Sequence, residues 1–193
     1  TITLPGTARV LDFGCGPGLY TDLLEKRGYK VIGCDVSKTS LDYAKRINSK
    51  IDYREFNYIN DELDKKIDAA MMIYCDFGAM SKDSQCKFLH HLYTSLNDNG
   101  LFFFDICAEP AFDRVIENES ETVEIDGFFM SGPADIITSI KKYPKDKVVL
   151  KYNKAKGQRC LEFFNWDKYY SIQEIEDLLH ENGFKVCDIY SDT

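Results

Sequence analysis

Several things are missing from this 193-residue chain, and each absence removes a class of function. Its longest apolar runs, Ala69–Ile73 and Leu101–Phe104, are strand-sized, far short of the roughly 20 residues that span a bilayer as a helix. No basic segment followed by an apolar one opens the chain, so no secretory signal is visible and no membrane partner is expected. Basic residues are outnumbered: 24 Lys and Arg stand against 32 Asp and Glu, a net charge of −8. A phosphate backbone is usually met by a basic stripe, so a nucleic-acid partner is not expected. The one lysine cluster, Lys141–Lys156, is interrupted by Asp146 and apolar residues and reads as the solvated face of a hairpin. Histidine is scarce and C-x-x-C does not occur, so no metal site is expected. Seven cysteines, an odd number without close pairing, fit reduced thiols in a cytoplasmic protein. There is no internal repeat and no low-complexity tract.

What is present is enough apolar side chain, 44% of residues, for one well-cored domain. Arg9–Phe13 is an apolar strand running into a glycine-rich turn. Leu19–Arg27 reads as a helix with Leu19, Leu23 and Leu24 on one face and Gly28 as its stop. Tyr29–Cys34 is a second strand. Ser37 can cap a helix over Lys38–Ile47, whose Leu41, Ala44 and Ile47 share a face. Strands are predicted at Ile51–Phe56, Ile67–Ile73 and Leu101–Phe104. Between the last two, Ser81 or Asp83 caps a helix to about Leu96 that Asn97–Gly100 ends. Strand and helix alternate, and two strands are continuously apolar, which predicts a parallel sheet covered on both faces. The fold class is therefore α/β: a Rossmann-like, doubly wound, mostly parallel sheet.

After Cys107 the rhythm changes. Short β-like runs follow at Thr122–Ile125, Phe128–Met130, Ile136–Ile140, Lys147–Tyr152 and Arg159–Phe164. A Ser171…Glu174 capping box then opens a helix over Ile172–Glu181, and Lys185–Tyr190 reads as a last strand. Residues 107–170 are expected to form an inserted antiparallel β-rich substrate cap on a Rossmann-like domain made of 1–106 and 171–193.

Right-handed crossovers place the carboxyl ends of all parallel strands on one rim, where open α/β sheets bind ligands. Each strand delivers a polar group there: Asp12 with Gly14, Gly16 and Gly18, then Asp35, Asn57, Tyr74-Cys75-Asp76 and Asp105. The glycines discriminate between cofactors. A dinucleotide fingerprint needs G-x-G-x-x-G, but Leu19 stands where the third glycine would fall. No G-K-[ST] follows, which excludes a P-loop. A carboxylate at Asp12 suits a ligand carrying donors or positive charge and repels pyrophosphate. Asp35, about 20 residues beyond Gly14, suits a pair of ribose hydroxyls and so fits either NAD or S-adenosylmethionine.

Val10–Gly18 resembles motif I of the class I S-adenosylmethionine-dependent methyltransferases, and Val31–Ser37 resembles their second motif. Tyr74–Gly78 and Asn99–Asp105 are similar to the fourth- and fifth-strand regions of the small bacterial members. The likeness covers residues 8–106 closely and 171–190 by element order. It implies an enzyme that transfers a methyl group from S-adenosylmethionine to a small-molecule acceptor. It also implies roles. Gly14, Gly16 and Gly18 would let the backbone approach the cofactor, and Asp12 would orient its amino-acid part directly or through water. Asp35 would hold the ribose, Val36 would pack on adenine, and the Tyr74 carbonyl would meet the amino group. Asn57 stands where the family commonly has an aspartate toward the adenine amine, a departure from the pattern.

In-line methyl transfer needs alignment more than acid–base groups, so catalytic residues stay open. Candidates on the acceptor side are Asp76 as a base or a turn cap, Asp105, Tyr20, and the aromatic group Phe163, Phe164, Trp166, Tyr169 and Tyr170, as lid or as core packing. His90 and His91 read as surface residues. A non-catalytic S-adenosylmethionine-binding module and an NAD-type oxidoreductase remain alternatives, and oligomeric state is left open. Native residues are expected ahead of Thr1. The family's closing antiparallel hairpin has only its first strand before Thr193, so either that edge is cut short or it is built differently.

Overall fold

A computed structural model describes residues 4–61, 66–124 and 133–191. The chain divides into two compact units, one formed by 1–105 with 176–193 and the other by 106–175.

The first unit begins β1 (Arg9–Phe13), α1 (Leu19–Lys26), β2 (Lys30–Asp35), α2 (Lys38–Ile47) and β3 (Asp52–Glu55). It continues with β4 (Ile67–Met72), α3 (Asp76–Ala79), α4 (Lys82–Ser95) and β5 (Leu96–Phe104). The five strands lie in the order β3-β2-β1-β4-β5 and every pairing is parallel. β1 and β4 are adjacent, yet the chain runs outward from β1 to β2 and β3 on one side, and from β4 to β5 on the other. The boundary between β1 and β4 is thus the point where strand order reverses, and ligands of open sheets bind above it. Burial explains why the two central strands are so apolar. Val10, Leu11 and Phe13 of β1 and Ala69, Ala70, Met71 and Met72 of β4 are all buried. Phe88 of α4 packs edge-on to Phe13, with ring centres 5.0 Å apart, and reaches Phe102 at 5.7 Å.

Local chemistry sets the helix starts. Ser37 accepts from Ser40 N–H at 3.3 Å and opens α2; Ser81 accepts from Ser84 N–H at 3.2 Å and opens α4. Three expectations are corrected. The leucine face of α1 is not its buried side: Leu19 and Leu23 are exposed, and the fully buried residue is Thr21, drawn inward by a hydrogen bond to β1. In α2, Ser40 joins Leu41 and Ala44 inside, whereas Ile47 is exposed. Asn97–Gly100 does not lie outside the elements. The helix stops at Ser95 and these residues belong to β5, whose register to β4 shifts between Ile67 and Ala69.

The second unit holds β6 (Cys107–Ala108), α5 (Glu109–Phe112), β7 (Asn118–Glu124), β8 (Ala134–Tyr143), β9 (Val148–Lys156) and β10 (Cys160–Tyr170). Its sheet has the order β6-β10-β9-β8-β7, antiparallel except for the short β6–β10 pair. The strands are longer than the β-like runs in the sequence, because ladder pairing carries them through polar positions that pattern alone reads as turns. The run Phe128–Met130, and Ile125 beside it, lie outside the described residues. One face closes over Phe112, Val149 and Tyr169. Four of the lysines have local partners: Lys151 pairs with Asp167 at 2.7 Å, Lys154 with Glu162 at 2.8 Å, and Lys142 and Lys147 sit over the Phe112 ring.

α6 (Ile172–Glu181) follows. Half of the capping box forms: Ser171 accepts from Glu174 N–H at 3.1 Å, while the Glu174 carboxylate turns to Lys168 at 3.0 Å. The strand expected at Lys185–Tyr190 does not form. Among the described residues it has no ladder partner, and an extended segment becomes a strand only when its N–H and C=O groups are paired by a neighbour. No helix among the described residues is long and apolar enough to cross a membrane.

Candidate functional site

All five strands of the first unit are parallel, so Phe13, Asp35, Glu55, Met72 and Phe104 end on the same rim. The loop after β1 is shaped by glycines in the left-handed region: Gly14 (φ 66°), Gly16 (φ 52°) and Gly18 (φ 85°). Two of these positions also lack room for a side chain. A Cβ on Gly14 would overlap the Asp76 carboxylate, and one on Gly18 would fall 2.5 Å from the Tyr53 hydroxyl. At Gly16 the same position is open space, so a ligand can lie against bare backbone there.

Asp35 organises this loop. One of its oxygens accepts from Gly16 N–H at 2.8 Å and the other from Ser37 N–H at 2.7 Å. A single carboxylate thereby ties the end of β2 to the glycine turn and to the start of α2, with its remaining lone pairs on the rim. Next to it, Val36 is 60% exposed and lines an open cleft with Glu55, Phe56, Asn57 and Asp61. Asn57 is engaged locally: its side-chain oxygen accepts from Ile59 N–H at 3.0 Å, and its own N–H donates to Asp61 at 2.8 Å.

Asp12 is not the open rim carboxylate that the sequence reading places facing a ligand. It is 3% exposed and accepts a 2.7 Å hydrogen bond from the Thr21 hydroxyl. Burial pushes its pKa up to about 7; the Thr21 bond opposes that rise and the charge of Asp35 adds to it. Asp76, raised chiefly by burial and further by Asp35 and Asp105, accepts from the Tyr58 hydroxyl at 3.2 Å and lies over Gly14. It is the first residue of α3 but does not cap it: the N-cap position falls at Cys75, and no side-chain cap hydrogen bond forms there. Asp105 accepts from Cys75 N–H at 2.8 Å, holding the turn in which Tyr74 (φ 75°) and Cys75 (φ 60°) both adopt left-handed backbone. Burial pushes the Cys15 thiol far up and the Cys34 thiol to about 12, which makes both unreactive.

Within the second unit, Trp166 is 44% exposed and its ring lies 5.8 Å from that of Tyr143. Phe164 is exposed beside Tyr152, whereas Tyr169 and Tyr170 are buried and Phe163 packs toward Ala134 and Ala155. The aromatic group is thus divided between exposed positions along the strand and buried ones at its end. His90 is exposed and His91 half-buried. Sequence reasoning misses Thr21 and Tyr58. Thr21 had a usable signal, since it lies one short turn after the loop, where a helix faces back onto its own strand. Tyr58 had none, because its partner is 18 residues away.

A carboxylate closing the second strand thus stands beside a glycine loop at the point where strand order reverses, where open α/β sheets bind their ligands. Comparison with known proteins narrows the class. A sequence model described as a methyltransferase domain matches residues 3–189. A protein of Geobacillus sp. (strain WCH70) that carries a methyltransferase name is 26% identical over 196 residues, 97% of this chain and 78% of its own length. Another, from Invertebrate iridescent virus 6, is 25% identical over 137 residues, 68% of this chain; the chain spans about half, 51%, of that relative. Among solved structures, an S-adenosylmethionine-dependent methyltransferase of Clostridium acetobutylicum ATCC 824 is similar in fold. Its TM-score is 0.76 at 18% identity, over 93% of this chain and 74% of that one. The sugar N-methyltransferase KedS8 of Streptoalloteichus sp. ATCC 53650 gives 0.70 at 14% identity, over 93% and 72%. The chain belongs to the class I S-adenosylmethionine-dependent methyltransferases, a family whose methyl donor is S-adenosylmethionine.

Proposed function

We propose that the chain binds S-adenosylmethionine along this rim and methylates a small molecule. Adenine packs on Val36 beside Asn57, and the ribose hydroxyls bond to Asp35. The amino-acid part lies over Gly14, Gly16 and Gly18 toward the Tyr74 carbonyl, with Asp12 acting from beneath. The observation that carries this reading is Asp35, whose two backbone bonds fix a carboxylate beside an open glycine, the geometry a ribose diol needs. When bound, S-adenosylmethionine would supply an electrophilic methyl on a sulfonium, with the neutral thioether as the group that an acceptor's lone pair would displace from it. The chain's part is alignment of the acceptor, worth several kcal/mol of barrier. Asp76, with a raised pKa, is the base where the acceptor must lose a proton, and Asp105 lies on the same side of the site. The unit 106–175 follows directly after β5 in the chain, which supports a role as substrate cap, with Trp166 as its candidate aromatic. The sugar N-methyltransferase activity of KedS8 and the amino pentose methyltransferase activity of CalS10 favour a small-molecule acceptor. Seven free thiols favour a cytoplasmic setting.

Isothermal titration with S-adenosylmethionine and S-adenosylhomocysteine tests the reading. Micromolar binding supports it, and no heat at millimolar ligand overturns it. Tight binding with no methyl transfer to any acceptor would instead favour a non-catalytic binding module.

A further inference from the structure

Two tyrosines stand at the strand-order reversal point, one from each side. Tyr20 comes from the first turn of α1, directly after the β1 loop, and Tyr74 from the turn that ends β4. Their rings meet edge-on with centres 5.8 Å apart. Packing does not account for the pair. Tyr20 is 37% and Tyr74 75% exposed, so little apolar area is removed from water. Tyr74 also sits at φ 75°, a strained backbone for a bulky residue, in a turn that Asp105 holds through the Cys75 N–H. Strain of this kind, together with an exposed aromatic, belongs to sites where a side chain is aimed at a ligand.

Strand order supplies a ruler. Strands are about 4.8 Å apart, so β3 to β4 spans about 14 Å of rim. With adenine at the Val36 cleft by β3 and ribose at Asp35 on β2, the reacting end of the cofactor reaches β1 and β4, beside the phenols. We infer that Tyr20 and Tyr74 together line the acceptor subsite and hold an amine acceptor, which binds as its ammonium and gives its proton to Asp76 before its nitrogen lone pair takes the methyl from sulfur. Two phenol oxygens offer lone pairs, and the ring faces attract an ammonium. The charged neighbours that act on Tyr20 and Asp76 are carboxylates, Asp105 for both and Asp35 for Asp76, which would repel an acidic acceptor. The inference rests on the cofactor placement proposed above.

The test needs no knowledge of the natural acceptor. Sinefungin is S-adenosylhomocysteine with the sulfur replaced by a carbon bearing a primary amine, so it presents an ammonium where the methyl would be. Sinefungin and S-adenosylhomocysteine are titrated by calorimetry into the wild-type chain, Tyr20→Phe and Tyr74→Phe. Each variant is expected to weaken sinefungin by about five-fold, one lost hydrogen bond, while S-adenosylhomocysteine, which in the proposed placement meets only the Tyr74 backbone carbonyl that Phe retains, stays within about two-fold. Loss of both ligands in parallel would make the pair a mere support of the cofactor loop, and unchanged sinefungin affinity would place the phenols elsewhere; either overturns the inference. Absence of S-adenosylhomocysteine binding by the wild type is a separate result, which removes the cofactor reading itself.

Discussion

At the scale of single residues, the site is governed by carboxylates whose surroundings differ. Asp35 is accessible and held by two backbone N–H donors, so it stays ready to accept hydroxyl hydrogens. Asp35→Ala should cost roughly 2–3 kcal/mol of cofactor affinity, the loss of a two-point charge-assisted contact. A titration calorimetry shift below ten-fold would mean that the ribose lies elsewhere. Asp12 behaves oppositely, because burial raises its folded pKa to about 7 from 3.8. The folded chain then keeps a proton that the unfolded chain has already released. Asp12 therefore costs no stability below about pH 4, and its penalty grows as pH rises and is complete above about 7. Urea unfolding between pH 5 and 8 should show wild-type stability falling through this window, with a flatter profile for Asp12→Asn. Equal slopes for the two proteins would show that burial of Asp12 does not govern this dependence.

At the scale of elements, the same few contacts both cap helices and shape the rim. Ser37 opens α2 by accepting from Ser40 N–H, while its own N–H donates to Asp35. Ser37→Ala keeps the second bond and deletes the first, so a loss of about 1 kcal/mol in stability is expected, with cofactor affinity nearly unchanged; paired chemical denaturation and calorimetry separate the two. The element order of β1 to β5 was legible because buried parallel strands are continuously apolar and Gly, Asn and Ser punctuate them. Two readings failed for one reason. The leucine stripe of α1 and the alternation at Lys185–Tyr190 are local patterns, but which face is covered, and whether an extended segment finds a ladder partner, is decided by neighbours far along the chain. Thr21 is buried in place of Leu19 because Asp12 draws it in.

At the scale of the whole molecule, each unit has apolar packing of its own, the first against the parallel sheet and the second around Phe112, Val149 and Tyr169 and around Ala134 and Ala155. Phe112→Ala should cost about 3–5 kcal/mol, felt in the second unit. Hydrogen exchange should accelerate in β8 to β10 and stay protected in β1 and β4; loss of protection in both would show that the units unfold as one. The sequence by itself determined the class of fold, the methyl donor's family and the residues of the glycine loop, since spacing and backbone conformation are local properties. Only the tertiary structure decided that Asp12 is buried, that Tyr58 meets Asp76, and that Tyr20 and Tyr74 touch across the reversal point. Those pairings join residues that are distant in the chain, and sheet order, which no local pattern encodes, is what brings them together.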